Sequence, residues 1–189
     1  MCLKINHIQN ILEQKNIIVS NINVGGGLGI DYENPKDNYF ADFKNYFKTF
    51  NTHLELRLNQ KVHFELGRSI VGQCGSLISK VLYQKNNYST PFLIIDAGMT
   101  ELLRPALYQT SHYIENISSS SSNLSSYNVV GPICETSDCF GKSILLNTTK
   151  RNDILRIYSC GAYARSMASQ YNLRPIAQSI YSDEIINNS

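Results

Sequence analysis

Residues 17–29 read IIVSNINVGGGLG. The β-branched run from Ile17 to Val24 predicts a short strand, and it ends directly in Gly25, Gly26 and Gly27, with Gly29 one residue further on. Glycines just after a strand let backbone N–H groups approach an anion, and phosphate is the usual guest. A plain tight loop explains the same residues equally well, and the spacing is not the GxGxxG of a dinucleotide fingerprint. Before this stretch, Leu3, Ile5, Ile8, Ile11 and Leu12 recur near helical spacing and predict an amphipathic helix over Met1 to Gln14. After it, Tyr39, Phe40, Phe43, Tyr46, Phe47 and Phe50 form an aromatic stripe at helical spacing, read as core packing. Lys61 to Leu66 reads as a second strand ending in Glu65-Leu66-Gly67-Arg68-Ser69, which alone could be a surface turn. Strand, glycine loop, helix and strand with a charged C-terminal end is the order of a β/α barrel, whose chemistry sits at the C-terminal ends of its strands.

Beyond Ser69 the helical pattern fades. Ile70–Gln84, Pro91–Asp96, Tyr127–Val130, Lys142–Leu146 and Asp153–Tyr158 read as strands, and Asp96-Ala97-Gly98-Met99 as a turn. Thr100 to Tyr113 holds a short helix around Arg104, Pro105 and Tyr108. Ser118 to Ser126 is a low-complexity, mobile loop, and one more short strand precedes a polar tail. Short strands separated by turns indicate a β-barrel or sandwich. The expected fold class is therefore α+β: the C-terminal part of a β/α (TIM-type) barrel over residues 1–67, then an all-β domain over residues 68–189, with the boundary near Arg68.

Composition narrows the function. The 189 residues suffice for one ordinary domain or parts of two, and 42% are apolar, enough for a core. A net charge of +2 with scattered basic residues gives no nucleic-acid footprint. No apolar run reaches bilayer length and no signal-peptide pattern opens the chain, so a soluble cytoplasmic protein without membrane partners is expected. Five cysteines, odd in number and irregularly spaced, are not a disulfide framework. Cys134 and Cys139 with His112 lack a CxxC pair, so no metal site is expected. His7, His53, His63 and His112 fit no motif.

The stretch VVGPICETSDCFG, residues 129–141, concentrates reactive groups behind the Gly131-Pro132 turn: Cys134, Glu135, Thr136, Ser137 and Asp138. A polar hairpin loop with one buried cysteine is the simple alternative. Asp96 and Asp138 can also order turns through backbone hydrogen bonds.

Five segments, GGGLGIDY, ELGRSIVG, IIDAGMTELLRPALY, VVGPICETSDCFGK and GAYARSMASQYNLRP, together span about Asn21 to Pro175. In order and approximate spacing they resemble the diaminopimelate decarboxylases, pyridoxal-phosphate enzymes of lysine biosynthesis with an alanine-racemase-like barrel. The resemblance implies that Gly25, Gly26 and Gly27, with Gly67 and Arg68, receive the cofactor phosphate. Glu65 would hold the pyridine nitrogen protonated, since a neighbouring carboxylate favours the charged form. Arg68, Arg104 and Tyr108 would bind substrate carboxylate, Glu135 the distal ammonium of meso-diaminopimelate, and Tyr163 the cofactor. Cys134 would be the catalytic proton donor, reaching into the neighbouring subunit of a homodimer. The sequence departs from the family pattern at Leu66, where proline is usual, and at Cys139 and Ser143. By the same resemblance, the cofactor lysine belongs to the first barrel strand, and no lysine here lies in that motif. Three readings follow: a C-terminal half acting with a separate N-terminal barrel chain, a non-catalytic remnant or interaction module, or an unrelated phosphate-binding protein.

Overall fold

The computed structural model describes residues 1–86 and 89–186. Helix α1 (Cys2–Gln14) leads to strand β1 (Asn21–Asn23), helix α2 (Phe43–His53) and strand β2 (Lys61–His63). The two strands pair in parallel, Ile22 opposite Val62, so their C-terminal ends point the same way. Asp42 caps α2 by accepting the Asn45 N–H at 3.0 Å. From that helix Tyr46, Phe47 and Phe50 pack edge-on against Phe64. Phe50, with Tyr46 and Phe64 packed on it and buried Ile22, Val24 and Leu54, forms the first core, while Phe47 stays exposed at its edge. The stripe is narrower than its sequence suggests: Tyr39 and Phe40 precede the helix and are exposed.

The predicted strand from Ile17 is shorter in the structure. Ile17 donates its N–H back to Leu12 O at 2.9 Å and completes the turn that ends α1, so pairing starts only at Asn21. Ile70 to Cys74 is helical rather than extended, comprising the end of α3 (Gly67–Val71) and a 3₁₀ turn. Local bonding decides this: the Ser69 hydroxyl donates to Leu66 O at 2.8 Å, and Gly72 packs directly on Ile30.

The second unit is a six-stranded sheet. Its strands are β3 (Leu77–Lys85), β4 (Phe92–Ile95), β5 (Ile114–Asn116), β6 (Leu124–Val130), β7 (Cys139–Asn147) and β8 (Ile154–Ile157), with helix α4 (Arg104–Tyr108) between β4 and β5. The order is β5-β8-β3-β4-β6-β7, antiparallel except for β4 against β6. The two edge strands, β5 and β7, come into contact, so the sheet rolls into a nearly closed barrel. Inside lie Val81, Leu93, Ile95, Tyr127, Val129, Phe140, Leu146, Leu155 and Ile157, the second core. The fold is α+β, as expected.

The serine-rich segment is not a featureless loop. Asn116 Oδ1 accepts the Ser118 and Ser119 N–H groups, the Ser119 hydroxyl donates to Thr148 O, and β6 begins at Leu124. No strand follows β8 among the described residues. Two 3₁₀ turns (Arg165–Met167 and Tyr171–Leu173) and helix α5 (Ser182–Ile186) stand there instead.

Candidate active site

The parallel pairing of β1 and β2 brings two loops to one edge. Val24 and Glu65 donate their N–H groups to His63 O and Gly25 O, extending the ladder by one rung into the glycine loop. Each of the three glycines has its own constraint. Gly25 and Gly27 adopt φ of 69° and 102°, which disfavour a side chain, and a Cβ on Gly26 would overlap the Glu65 carbonyl. Asn23 ties the loops together: its Oδ1 accepts the Gly25 N–H at 2.8 Å and its Nδ2 donates to Glu65 Oε1 at 2.7 Å. The Gly25 N–H is thus engaged, whereas those of Gly26, Gly27 and Leu28 have no hydrogen-bond partner among the described residues.

These loops form one wall of an open cleft of about 750 Å³, lined by Gly26, Gly27, Glu65, Gly67, Arg68, Arg104, Tyr108 and Tyr163, with Leu28, Leu66 and Met167. The opposite wall is built on α4, where Pro105 sits in the first helical turn. Arg104 is 7% exposed, and Tyr32, Tyr108 and Tyr163 each place a ring centroid 5.4 Å from its guanidinium carbon. No carboxylate pairs with it among the described residues, and its Nε has no hydrogen-bond partner. A guanidinium held between aromatic rings and unpaired by any described carboxylate has the chemistry to accept one from outside the chain.

Behind Arg104 stands His112, buried edge-on against Tyr32 with ring centroids 4.8 Å apart. Its Nδ1 lies 2.8 Å from Tyr158 O, which can only accept, so Nδ1 carries the proton and Nε2 the lone pair. Burial, and the Arg104 charge to a lesser degree, push the imidazole below its ordinary value, so it is neutral.

Eight of the site residues singled out in the sequence meet in this cleft. Gly25 supports it without lining it, and Cys134 and Glu135 do not line it. They sit exposed on the loop between β6 and β7. Sequence reasoning gave no role to Asn23, Tyr32 or Met167. Tyr32 ends the GGGLGIDY segment and Met167 lies within GAYARSMASQYNLRP, so membership of those segments was the available signal.

A fold of this kind, with its glycine loop and arginine cleft, places the chain in a recognised class. Residues 14–161 match the family model of the pyridoxal-dependent decarboxylase C-terminal sheet domain, and the chain belongs to that family. It is 54% identical over 186 residues to the diaminopimelate decarboxylase of Bacteroides thetaiotaomicron, covering 98% of this chain and 48% of that protein. The enzyme of the same name from Neisseria meningitidis serogroup B is 36% identical over 182 residues, covering 96% and 43%. The crystal structure of diaminopimelate decarboxylase from Helicobacter pylori complexed with L-lysine superposes with a TM-score of 0.79 at 40% identity, over 92% of this chain and 42% of that one. Lysine/ornithine decarboxylase from Vibrio vulnificus, at 20% identity and a TM-score of 0.80, shares the fold. The chain spans about half the length, or less, of the curated relatives it matches.

Proposed function

We propose that this chain forms one part of a diaminopimelate decarboxylase, supplying the phosphate loop, the substrate-carboxylate site and a loop that acts in a neighbouring subunit. The observation that carries this reading is the buried Arg104, paired with no carboxylate among the described residues and facing the glycine loop across one cleft. The residues present fit pyridoxal phosphate. The N–H groups of Gly26 and Gly27, without partners among the described residues, suit its phosphate, and the Glu65 carboxylate suits its ring nitrogen. When bound, the cofactor supplies a sink for the electron pair released as carbon dioxide departs.

The chain's own groups would then divide the work. Glu65, steadied through Oε1 by Asn23, holds a proton at the pyridine nitrogen. Arg68 and Gly67 complete the phosphate pocket, and Tyr163 orders the cofactor while stacking on Arg104. Arg104 and Arg68 bind substrate carboxylate with Tyr108 beside them, Arg104 presenting a pre-formed fork. Cys134 and Glu135, exposed and outside the cleft of their own chain, act across a homodimer interface. There Cys134 delivers a proton to the reacting carbon, and Glu135 receives the distal ammonium of meso-diaminopimelate.

The two units, residues 1–67 and 68–189, follow the two apolar cores, which share no residue. Five thiols with no disulfide suit the cytoplasm, and no helix among the described residues is long and apolar enough to cross a membrane. The test is carbon dioxide release from meso-diaminopimelate by the assembled enzyme, and its loss in Arg104→Met. We expect kcat/KM to fall by about 10²–10³-fold, the scale of removing a charge-assisted bidentate contact. Absence of release from the wild type, or unchanged kcat/KM in the variant, would overturn the reading.

A further inference from the structure

The loop bearing Cys134 and Glu135 is fixed from beneath. Asp138 is buried, and its Oδ1 and Oδ2 accept the Met99 and Ile133 N–H groups, each at 2.7 Å. Gly98 and Gly131 pack against the same carboxylate closely enough that a Cβ on either would crowd it. The loop and the turn leading into α4 are therefore one unit, and only the tip, Cys134 to Ser137, is exposed.

A second segment reaches that tip. Ser169 donates its N–H to Thr100 O at 3.0 Å, and Arg174 Nη2 donates to Asp96 O at 2.6 Å, so residues 169–174 are tied to the same turn. Between these anchors Asn172 and Leu173 both take φ of 56°, a left-handed turn that sets Tyr171 beside Glu135. The Tyr171 hydroxyl donates to Glu135 Oε1 at 2.6 Å. The contact marks the phenol itself: the Glu135 carboxylate, chiefly, and Cys134 to a lesser degree oppose its ionisation and hold it above the ordinary tyrosine value.

We propose that Tyr171 is a positioning residue for Glu135, setting the substrate specificity of the site that this loop enters. An exposed glutamate samples several rotamers, and ordering it on binding costs conformational entropy. With one oxygen held by a phenol, the carboxylate is pre-oriented and its second oxygen stays available for an ammonium group. The Asp138 clamp fixes the backbone and Tyr171 fixes the side chain. The inference rests on the ammonium-binding role given to Glu135 above.

Two measurements on the assembled enzyme separate the two ideas. In Tyr171→Phe, an exposed change that keeps the ring, KM for meso-diaminopimelate should rise about five- to tenfold with kcat within about twofold, as expected when ground-state and transition-state binding are lost together. Glu135→Gln should raise KM further, and adding Tyr171→Phe to it should have no further effect. Ultraviolet titration reads the contact without turnover: the transition missing in Tyr171→Phe should move down toward the ordinary phenol value in Glu135→Gln. Unchanged KM in Tyr171→Phe while Glu135→Gln raises it overturns the positioning role, as does a Tyr171 transition indifferent to Glu135→Gln. Unchanged KM in Glu135→Gln alone sinks the ammonium-site reading, and the positioning role falls with it even where titration shows the contact.

Discussion

Asp138 shows how one side chain can join two pieces of a site. Its carboxylate has left water for a pocket bounded by two glycines, which pushes its pKa above the ordinary 3.8 despite the opposing Met99 and Ile133 N–H bonds. The nearby Glu101 charge adds to the rise, and Arg174 opposes it. A folded state that holds this proton more tightly than the unfolded chain is favoured by acid. The Asp138 contribution is thus fully present below about 3.8 and is lost as pH climbs through the raised value. In Asp138→Asn one of the two N–H groups meets an amide NH₂ instead of an oxygen, and we expect a loss of about 1–3 kcal/mol at neutral pH. The stability gap between wild type and variant should be widest in acid, shrink through the mildly acidic range and then level off. Denaturant melts at stepped pH check this, and a pH-independent gap would refute it. In the sequence, turn-ordering is one option for Asp96 and Asp138. Asp96 does the same work, its Oδ1 accepting the Ser79 hydroxyl and the Lys80 N–H. An aspartate beside glycines announces local backbone bonding. Which distant N–H it will accept, 39 residues away for Met99, is not written nearby.

Helix α1 illustrates the limits of a periodic pattern. Its helical form was legible, but its orientation was not. Leu3 and Ile8 are 78% and 55% exposed, while Asn6 and Gln9 are buried together with Cys2. The cause is the backbone leaving α2. Asn6 donates to His53 O at 2.9 Å and accepts from Glu55 N at 3.0 Å, and Gln9 donates to Glu55 O at 3.0 Å. Those peptide groups need partners once removed from water, and an amide side chain supplies both a donor and an acceptor. Replacing Asn6 by Leu would strand both, and unfolding by urea should show a loss of roughly 2–4 kcal/mol. A change below about 0.5 kcal/mol would mean that water replaces the amide and that the inward polar face is incidental. The same lesson runs through Ile70 and Val71, whose β-branched side chains suggest a strand. The short helix there is set by hydrogen bonds and by the fit of Gly72 on Ile30.

At the scale of the whole molecule, the proposed site is shared between the cleft and the β6–β7 loop, which does not line it. If that loop serves a second copy, variants damaged on opposite sides should complement one another. Mixing Cys134→Ala with Arg104→Met forms of the enzyme creates heterodimers in which one of two sites keeps both groups. Random pairing predicts recovery of about a quarter of wild-type activity. No recovery, with subunit exchange demonstrated, would place both groups in one subunit's site. The sequence by itself determined the α+β class, the two sets of elements and most of the cleft, because these depend on local signals. Hydrophobic period marks helices and strands, and glycine, proline and charge at strand ends mark loops that can bear chemistry. Only the tertiary structure decided that Tyr32 backs Arg104, that Asn23 steadies Glu65, that Tyr171 holds Glu135 and that Asp138 binds two loops into one. The partners in these contacts lie from 36 to 42 residues apart for Tyr171, Asp138 with Met99, and Asn23. They meet because burial leaves each polar group to find whatever complementary atom the packed chain brings within reach, and no local pattern encodes that choice.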